Sequence, residues 1–305
     1  MTVVLLFYFL RRLPPGTIAD SYRHASPLPL AVSAAAIAVF MLARAIRYRM
    51  LLAAGSTTSP LGPTAAVTVA AWWPGLLLPG VAADAAFVYL ANRRLGSTLI
   101  RAGGAALAAR LLDLYSLFAI GLVTAPLAGA RLPAAVWAAA AAALVAGTVM
   151  VAGMRRQRFR APVLRLLARL PGGRRATDRA DDVLEELGGP RRIAGLAATT
   201  LLARAATAVQ YTALFAALGQ TVTVWQAWFA LSFRTLLLAI PVQGVAGLGT
   251  TQLWWTAALT VMGWPAQQAA RVGFQIHLLD LSVTVPLSLI GGGILLLLYR
   301  RPKAA

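Results

Sequence analysis

The chain has 305 residues, 59% hydrophobic and only 12% charged, with a formal net charge of +19 and no cysteine. Its mean hydropathy of +0.73 excludes a soluble globule, and the missing cysteines exclude disulfides, thiolate metal sites and thiol catalysis. Arginine outnumbers lysine 27 to 1 and lies mainly at the ends of apolar segments, so positive-inside topology explains the charge and nucleic acid is not an expected partner.

Apolar runs of about twenty residues without period-2 alternation predict an all-α, polytopic helical membrane protein and exclude a barrel. The opening MTVVLLFYFL has neither a basic n-region nor a small-residue cleavage site. It is too short to span at about 1.5 Å per residue, so either the chain starts late or this is half a helix. Leu28 to Ile46 predicts the next segment, and Arg44, Arg47 and Arg49 place its end in the cytoplasm. A third segment from about Thr64 is expected to break at Pro74 and again at Pro79-Gly80, and a short piece from Val81 continues to ANRRLG. Ala102 to Val123 and Ala134 to Gly153 predict two fuller spans. The polar stretch from Met154 to Arg192 holds eleven arginines and five of the nine acidic residues and is assigned to the cytoplasm. Within it ATDRADDVLEELGG reads as a short amphipathic helix capped by Thr177 or Asp178, with Val183, Leu184 and Leu187 as its apolar stripe and Gly188 as its stop. Three hydrophobic regions follow, about Ile193 to Leu218, Trp225 to Ile240 and Ala269 to Tyr299, and RRPK closes the last on the cytoplasmic side.

An internal repeat organises these segments. Shifting the chain by 167 positions aligns Pro74 with Pro241, Gly80 with Gly247, Gly96 with Gly263, and LLDL at 111–114 with LLDL at 278–281, giving 9 identities in 41 positions. With a three-residue shift, AAGSTTSP near Gly55 lines up with ALGQTVTV near Gly219. The expected organisation is one integral membrane domain over 1–305, with repeat 1 at about 28–124, the loop at 154–192 and repeat 2 at about 193–299. The arginines make the first LLDL helix run outward and the second inward, so the halves are expected to be inverted, each with a broken, re-entrant helix pair, as in transporters. Arg11, Arg12 and Arg23 fall outside in this scheme.

Three carboxylates lie in apolar sequence, Asp84, Asp113 and Asp280, with Arg110, Arg204, Arg234, Arg271 and His277 as the basic residues there. A charge at bilayer depth costs about 2.5–3.5 kcal/mol on insertion scales, so each implies a partner or a wet cavity. Arg110 and Asp113 stand three residues apart, as do His277 and Asp280, so each pair shares a helical face. Either each pair neutralises itself, or Arg110 and His277 face a cavity and bind an anion that the aspartates help to orient. The stretch Gly247 to Gln252 lacks the lysine of a P-loop and the third glycine of a dinucleotide fingerprint. It reads instead as an unwound segment followed by a half-helix that Thr250 or Thr251 can cap, with free backbone N–H groups aimed into the break. The candidate substrate-binding residues are therefore Asp84, Arg110, Asp113, Arg234, Gln243, Gly247, Gly249, Gln252, His277 and Asp280. No metal-ligand spacing or catalytic triad is legible, so no cofactor or catalytic group is expected. Trp72-Trp73 and Trp254-Trp255 read as packing or interfacial residues.

The pattern LLLPGVAAD, then Arg110 and Asp113, then IPVQGVAGLGTTQ resembles the transmembrane region of lysylphosphatidylglycerol synthases and their flippase-like relatives, over roughly Ser26 to Tyr299. Asp84 and Arg110 match the family pattern. Members tend to carry an asparagine before the first break, missing here. Ala83 stands in for a glycine, Phe87 for an arginine, Gln252 for a glutamate, and His277 occupies a position that is often arginine. No segment of these residues corresponds to the aminoacyl-transferase domain of fused members, so lysyl transfer is not implied. The resemblance implies a bacterial inner-membrane lipid translocase with a cytoplasmic C-terminus, moving or binding an anionic phospholipid or a polyprenyl-phosphate-linked lipid. A non-transporting partner of a cell-envelope glycosyltransferase and a membrane-embedded enzyme on a lipid-linked substrate are the alternatives.

Overall fold

The computed structural model describes residues 16–23, 25–53, 60–78, 82–154, 189–237 and 245–299, and no strand occurs among them. The helices are α1 (Thr17–Arg23), α2 (Pro27–Leu52), α3 (Leu61–Leu77), α4 (Ala82–Leu95), α5 (Leu99–Leu127), α6 (Ala134–Met154), α7 (Pro190–Ala217), α8 (Val224–Leu237), α9 (Thr250–Val261) and α10 (Ala266–Leu298), with a 3₁₀ turn at Val245–Gly247 before α9. Four stretches are long and apolar enough to cross a membrane: Pro27–Leu52, Leu99–Leu127, Arg191–Ala217 and Ala266–Leu298. Their outward faces keep residues such as Leu107, Val123, Ile290 and Leu298 exposed. This is a polytopic helical membrane protein, in which such side chains meet lipid rather than water.

Local sequence sets the ends. Pro27 and Pro190 occupy the first turns of α2 and α7, where a missing N–H is harmless. The Thr98 hydroxyl accepts from the Arg101 N–H at 3.3 Å and caps α5. Gly96 (φ 69°) and Gly263 (φ 89°), which the 167-position shift aligns, follow α4 and α9 in the left-handed conformation that closes a helix. Pro74 does not break α3, contrary to expectation. It lies in the last turn, where the helix loses one hydrogen bond and still closes with the Leu78 N–H on the Pro74 carbonyl at 2.8 Å.

The order long, short, short, long occurs twice, as α2–α5 and as α7–α10. The short helices have 17, 14, 14 and 12 residues. At about 1.5 Å per residue none reaches the ~30 Å hydrocarbon thickness. They pair instead, α3 on α4 and α8 on α9. Packing between the halves is reciprocal: α2 lies on α7, α3 on α10, and α8 on α5. Small residues permit the closest approaches. A side chain at Gly75 would overlap Ala83, one at Gly273 would lie 2.8 Å from the Trp255 Cβ, and one at Gly292 would lie 3.0 Å from the Ala70 Cα. One apolar core gathers Tyr48, Val67, Phe87 and Ala102 against the first hairpin, and another gathers Tyr211, Phe215, Trp255 and Ile276 against the second. The N-terminal apolar run, the Pro79-Gly80 break, Gln243 and the amphipathic helix at 177–188 lie outside the described residues.

Candidate functional site

The first cluster forms where α2, α5 and α7 meet. Arg47 donates to both oxygens of Asp113, Nη1 to Oδ1 at 2.8 Å and Nη2 to Oδ2 at 3.0 Å, a bidentate pair. Arg204 donates to the same Oδ1, and the Arg44 Nη1 lies 3.6 Å from Oδ2. Thr200 accepts a further bond from Arg47 at 3.2 Å. The side chains of Arg47, Arg204 and Arg44 are 1%, 8% and 12% exposed, so three enclosed cations share one carboxylate. The Nε atoms of Arg47 and Arg204 are buried without an acceptor among the described residues. Arg44 lies over the Trp72 ring at 4.9 Å and donates to the Tyr48 hydroxyl at 3.1 Å. A narrow cleft bordered by Arg44, Tyr48, Thr68, Trp72, Ala83 and Phe87 runs from here to the tip of the first hairpin.

At that tip Asp84 sits in the first turn of α4 and faces α5. Its Oδ2 accepts from Arg110 Nε at 3.0 Å and Nη2 at 2.7 Å. Arg110 and Asp113 do share a face of α5, but each finds a better-aligned partner on another helix, so neither neutralises the other.

The second half builds its counterpart from mostly neutral groups. Asp280 on α10 accepts from Gln210 Nε2 at 2.8 Å, the Tyr211 hydroxyl at 2.8 Å and the Thr284 hydroxyl at 2.9 Å. Arg234 on α8 lies over the rings of Tyr211 (6.0 Å) and Trp255 (5.5 Å). His277 turns away from Asp280: its Nδ1 accepts from Gln252 Nε2 at 2.9 Å. Gln252, fully buried, also accepts the Gly249 N–H on its Oε1 at 2.6 Å. The cap of α9 is therefore this side chain folded back on Gly249, and not Thr250 or Thr251. The reason lies in the chain before it. Ala246, Gly247 and Gly249 take φ of 53°, 68° and 84°, so the helix starts abruptly at a glycine that has no side-chain oxygen.

Residues 1–288 match the family model for the lysylphosphatidylglycerol synthase TM region. The chain belongs to that family. No curated protein and no solved structure matches it.

Across the two halves of the chain the pairings repeat. Arg110 and His277 are 167 positions apart, and each bonds the first turn of the second short helix of its half, at Asp84 or at Gln252. Arg47 and Tyr211 are 164 apart, the offset of the first repeat helices, and each reaches the aspartate of its own LLDL. Of the expected residues, Asp113, Arg234, Gln252, His277 and Asp280 make buried or half-buried contacts beside the two hairpins, Asp84 and Arg110 pair with Arg110 exposed, Gly247 and Gly249 form the second break, and Gln243 is not described.

Arg44, Arg47 and Arg204 stand outside the expected site residues, although Arg204 is among the basic residues in apolar sequence that imply a partner. Arg44 and Arg47 read as an inner flank, yet they continue the spacing of Ser33, Ile37, Phe40 and Met41 and so lie on the buried stripe of α2. Arg204 stands inside an apolar run, which itself signals an interior partner.

Proposed function

We propose that this membrane domain is a flippase-like lipid translocase of the bacterial inner membrane, which holds an anionic lipid headgroup at the Arg44–Arg47–Arg204 cluster while the tails remain in the bilayer. The observation that carries the reading is the three enclosed arginines, two of them buried, on the single carboxylate of Asp113. Two positive charges remain over, and at about 2.5–3.5 kcal/mol for an unpaired arginine at bilayer depth they call for an anion. An anionic phospholipid and a polyprenyl-phosphate-linked lipid both supply one. The headgroup enters by the cleft at Arg44. Arg110 and Arg234 contact it in turn, Asp84 and Asp113 hold the cations in place, and Asp280 orients the neutral groups of the second half.

The two halves act as inverted copies, one hairpin entering from each side of the membrane, with the C-terminus in the cytoplasm. The twice-repeated helix order, the reciprocal packing and the repeated pairings support this. It is the architecture of alternating access.

The test is reconstitution of the whole chain into vesicles with tail-labelled phosphatidylglycerol or a polyprenyl phosphate. Label accessible from outside should move between leaflets faster with protein than without, and the gain should vanish in Arg47→Gln. Equal rates with and without protein across several anionic lipids would overturn transport and favour a non-transporting partner subunit.

A further inference from the structure

The charge count of the first cluster narrows the headgroup. We infer that the site is matched to a phosphate monoester or pyrophosphate that carries two negative charges, rather than to the singly charged diester of an ordinary phospholipid. This rests on the lipid-binding reading above and sharpens it.

Arg44, Arg47 and Arg204 contribute three positive charges and Asp113 one negative, and the neighbouring Asp84–Arg110 pair adds none. Among the described residues the site therefore stands at +2, and the other groups in contact with these arginines there are neutral: Thr200, Tyr48 and the ring of Trp72. Of the remaining acids in the chain, Asp280 is occupied in the second half, Asp20 precedes α2, and the other five fall between 178 and 186. The short segments 54–59, 79–81 and 238–244 contain no acid at all.

A diester would leave one arginine uncompensated, whereas a dianion closes the balance. A terminal phosphate also offers three acceptor oxygens where a diester offers two. The fixed donors fit that number. Among the described residues the Nε–H groups of Arg47 and Arg204 are buried without an acceptor, and Arg44 turns its guanidinium to the cleft edge at Tyr48 and Trp72. No water-sized space remains in the cleft, so binding of the headgroup requires the cleft to widen.

The experiment is equilibrium binding to the full chain in phosphatidylcholine nanodiscs, with phosphatidic acid as the monoester, phosphatidylglycerol as the diester and inorganic phosphate as the lipid-free control. At about pH 7.5 phosphatidic acid should bind at least about tenfold tighter than phosphatidylglycerol, a difference of about 1.4 kcal/mol. A monoester takes its second charge near about pH 6, so the preference should collapse by about pH 5 while phosphatidylglycerol binding stays level. This pH series uses the unaltered protein. Arg44→Gln, which lowers the count to +1, should shrink the preference to about threefold or less, and Arg44→Lys should keep it. Equal binding of the two lipids, both above phosphatidylcholine, would overturn the dianion and leave the anionic-lipid reading standing. Neither lipid binding above phosphatidylcholine would overturn both. Displacement of phosphatidic acid by inorganic phosphate at equal concentration would overturn the lipid as the source of the dianion.

Discussion

Replacing Asp113 by Asn removes the one negative charge among three enclosed arginines. Arg47 holds both oxygens at 2.8 and 3.0 Å, Arg204 shares Oδ1, and Arg44 lies 3.6 Å from Oδ2. At an effective dielectric near 20 each such pair has a gross attraction of about 4 kcal/mol. Much of that is spent on desolvation, and removing one partner of a buried pair costs about 3–5 kcal/mol net. Asparagine keeps one acceptor oxygen for Arg47 but leaves repulsion among the arginines unanswered, so Asp113→Asn should lose about 4 kcal/mol. The measure is reversible unfolding in mixed micelles, followed by circular dichroism. Deleting one cation as well, in Asp113→Asn with Arg204→Gln, should restore at least about 1 kcal/mol relative to additivity. A loss under about 1 kcal/mol, or strict additivity, would refute the idea that Asp113 is the counter-charge of the cluster.

Other substitutions separate charge from packing. Asp84→Asn and Arg110→Gln should each change stability by less than about 1 kcal/mol, because the Arg110 side chain is 45% exposed, yet both should slow headgroup movement in the vesicle assay. Asp280→Asn should cost less than Asp113→Asn, about 1–2 kcal/mol, since the three donors to Asp280 are neutral; the same unfolding series ranks them. Gln252→Glu removes the donor to His277 and should destabilise by about 1–3 kcal/mol. Adding His277→Arg should recover more than about 0.5 kcal/mol by rebuilding the ion pair seen at Asp84 and Arg110, which a double-mutant cycle reads. Gly273→Ala should lower stability by about 1–3 kcal/mol, because its Cβ would meet that of Trp255 at 2.8 Å; an unchanged melting curve would contradict this contact.

Class and element order were legible in the sequence because they depend on local features. Long apolar runs define the spanning helices, and the glycines at 96 and 263 stop α4 and α9 where the repeat places them. Spacing also showed that Arg110 and Asp113 share a face. What that face meets was not legible, because partners at Asp84, Arg47 and Arg204 come from helices distant in sequence whose rotation depends on packing. The same gap hid Arg44 and Arg47. Flanking position suggested the membrane surface, but α2 runs on past Ile46 to Leu52 and carries both residues into the bundle. At the second break, Gln252 stands where the family pattern has an acid and is expected from the sequence to bind substrate. The amide instead makes two bonds at once, to Gly249 and to His277.

The most direct measurement is the identity of the lipid that leaves the membrane with the protein, read by native mass spectrometry of the whole chain released from gently solubilised membranes. An anionic phosphate lipid should stay bound to the unaltered protein and be lost from Arg44→Gln with Arg47→Gln. Retention of zwitterionic lipids alone, or the same anionic lipid on both proteins, would contradict a headgroup held by the arginine cluster.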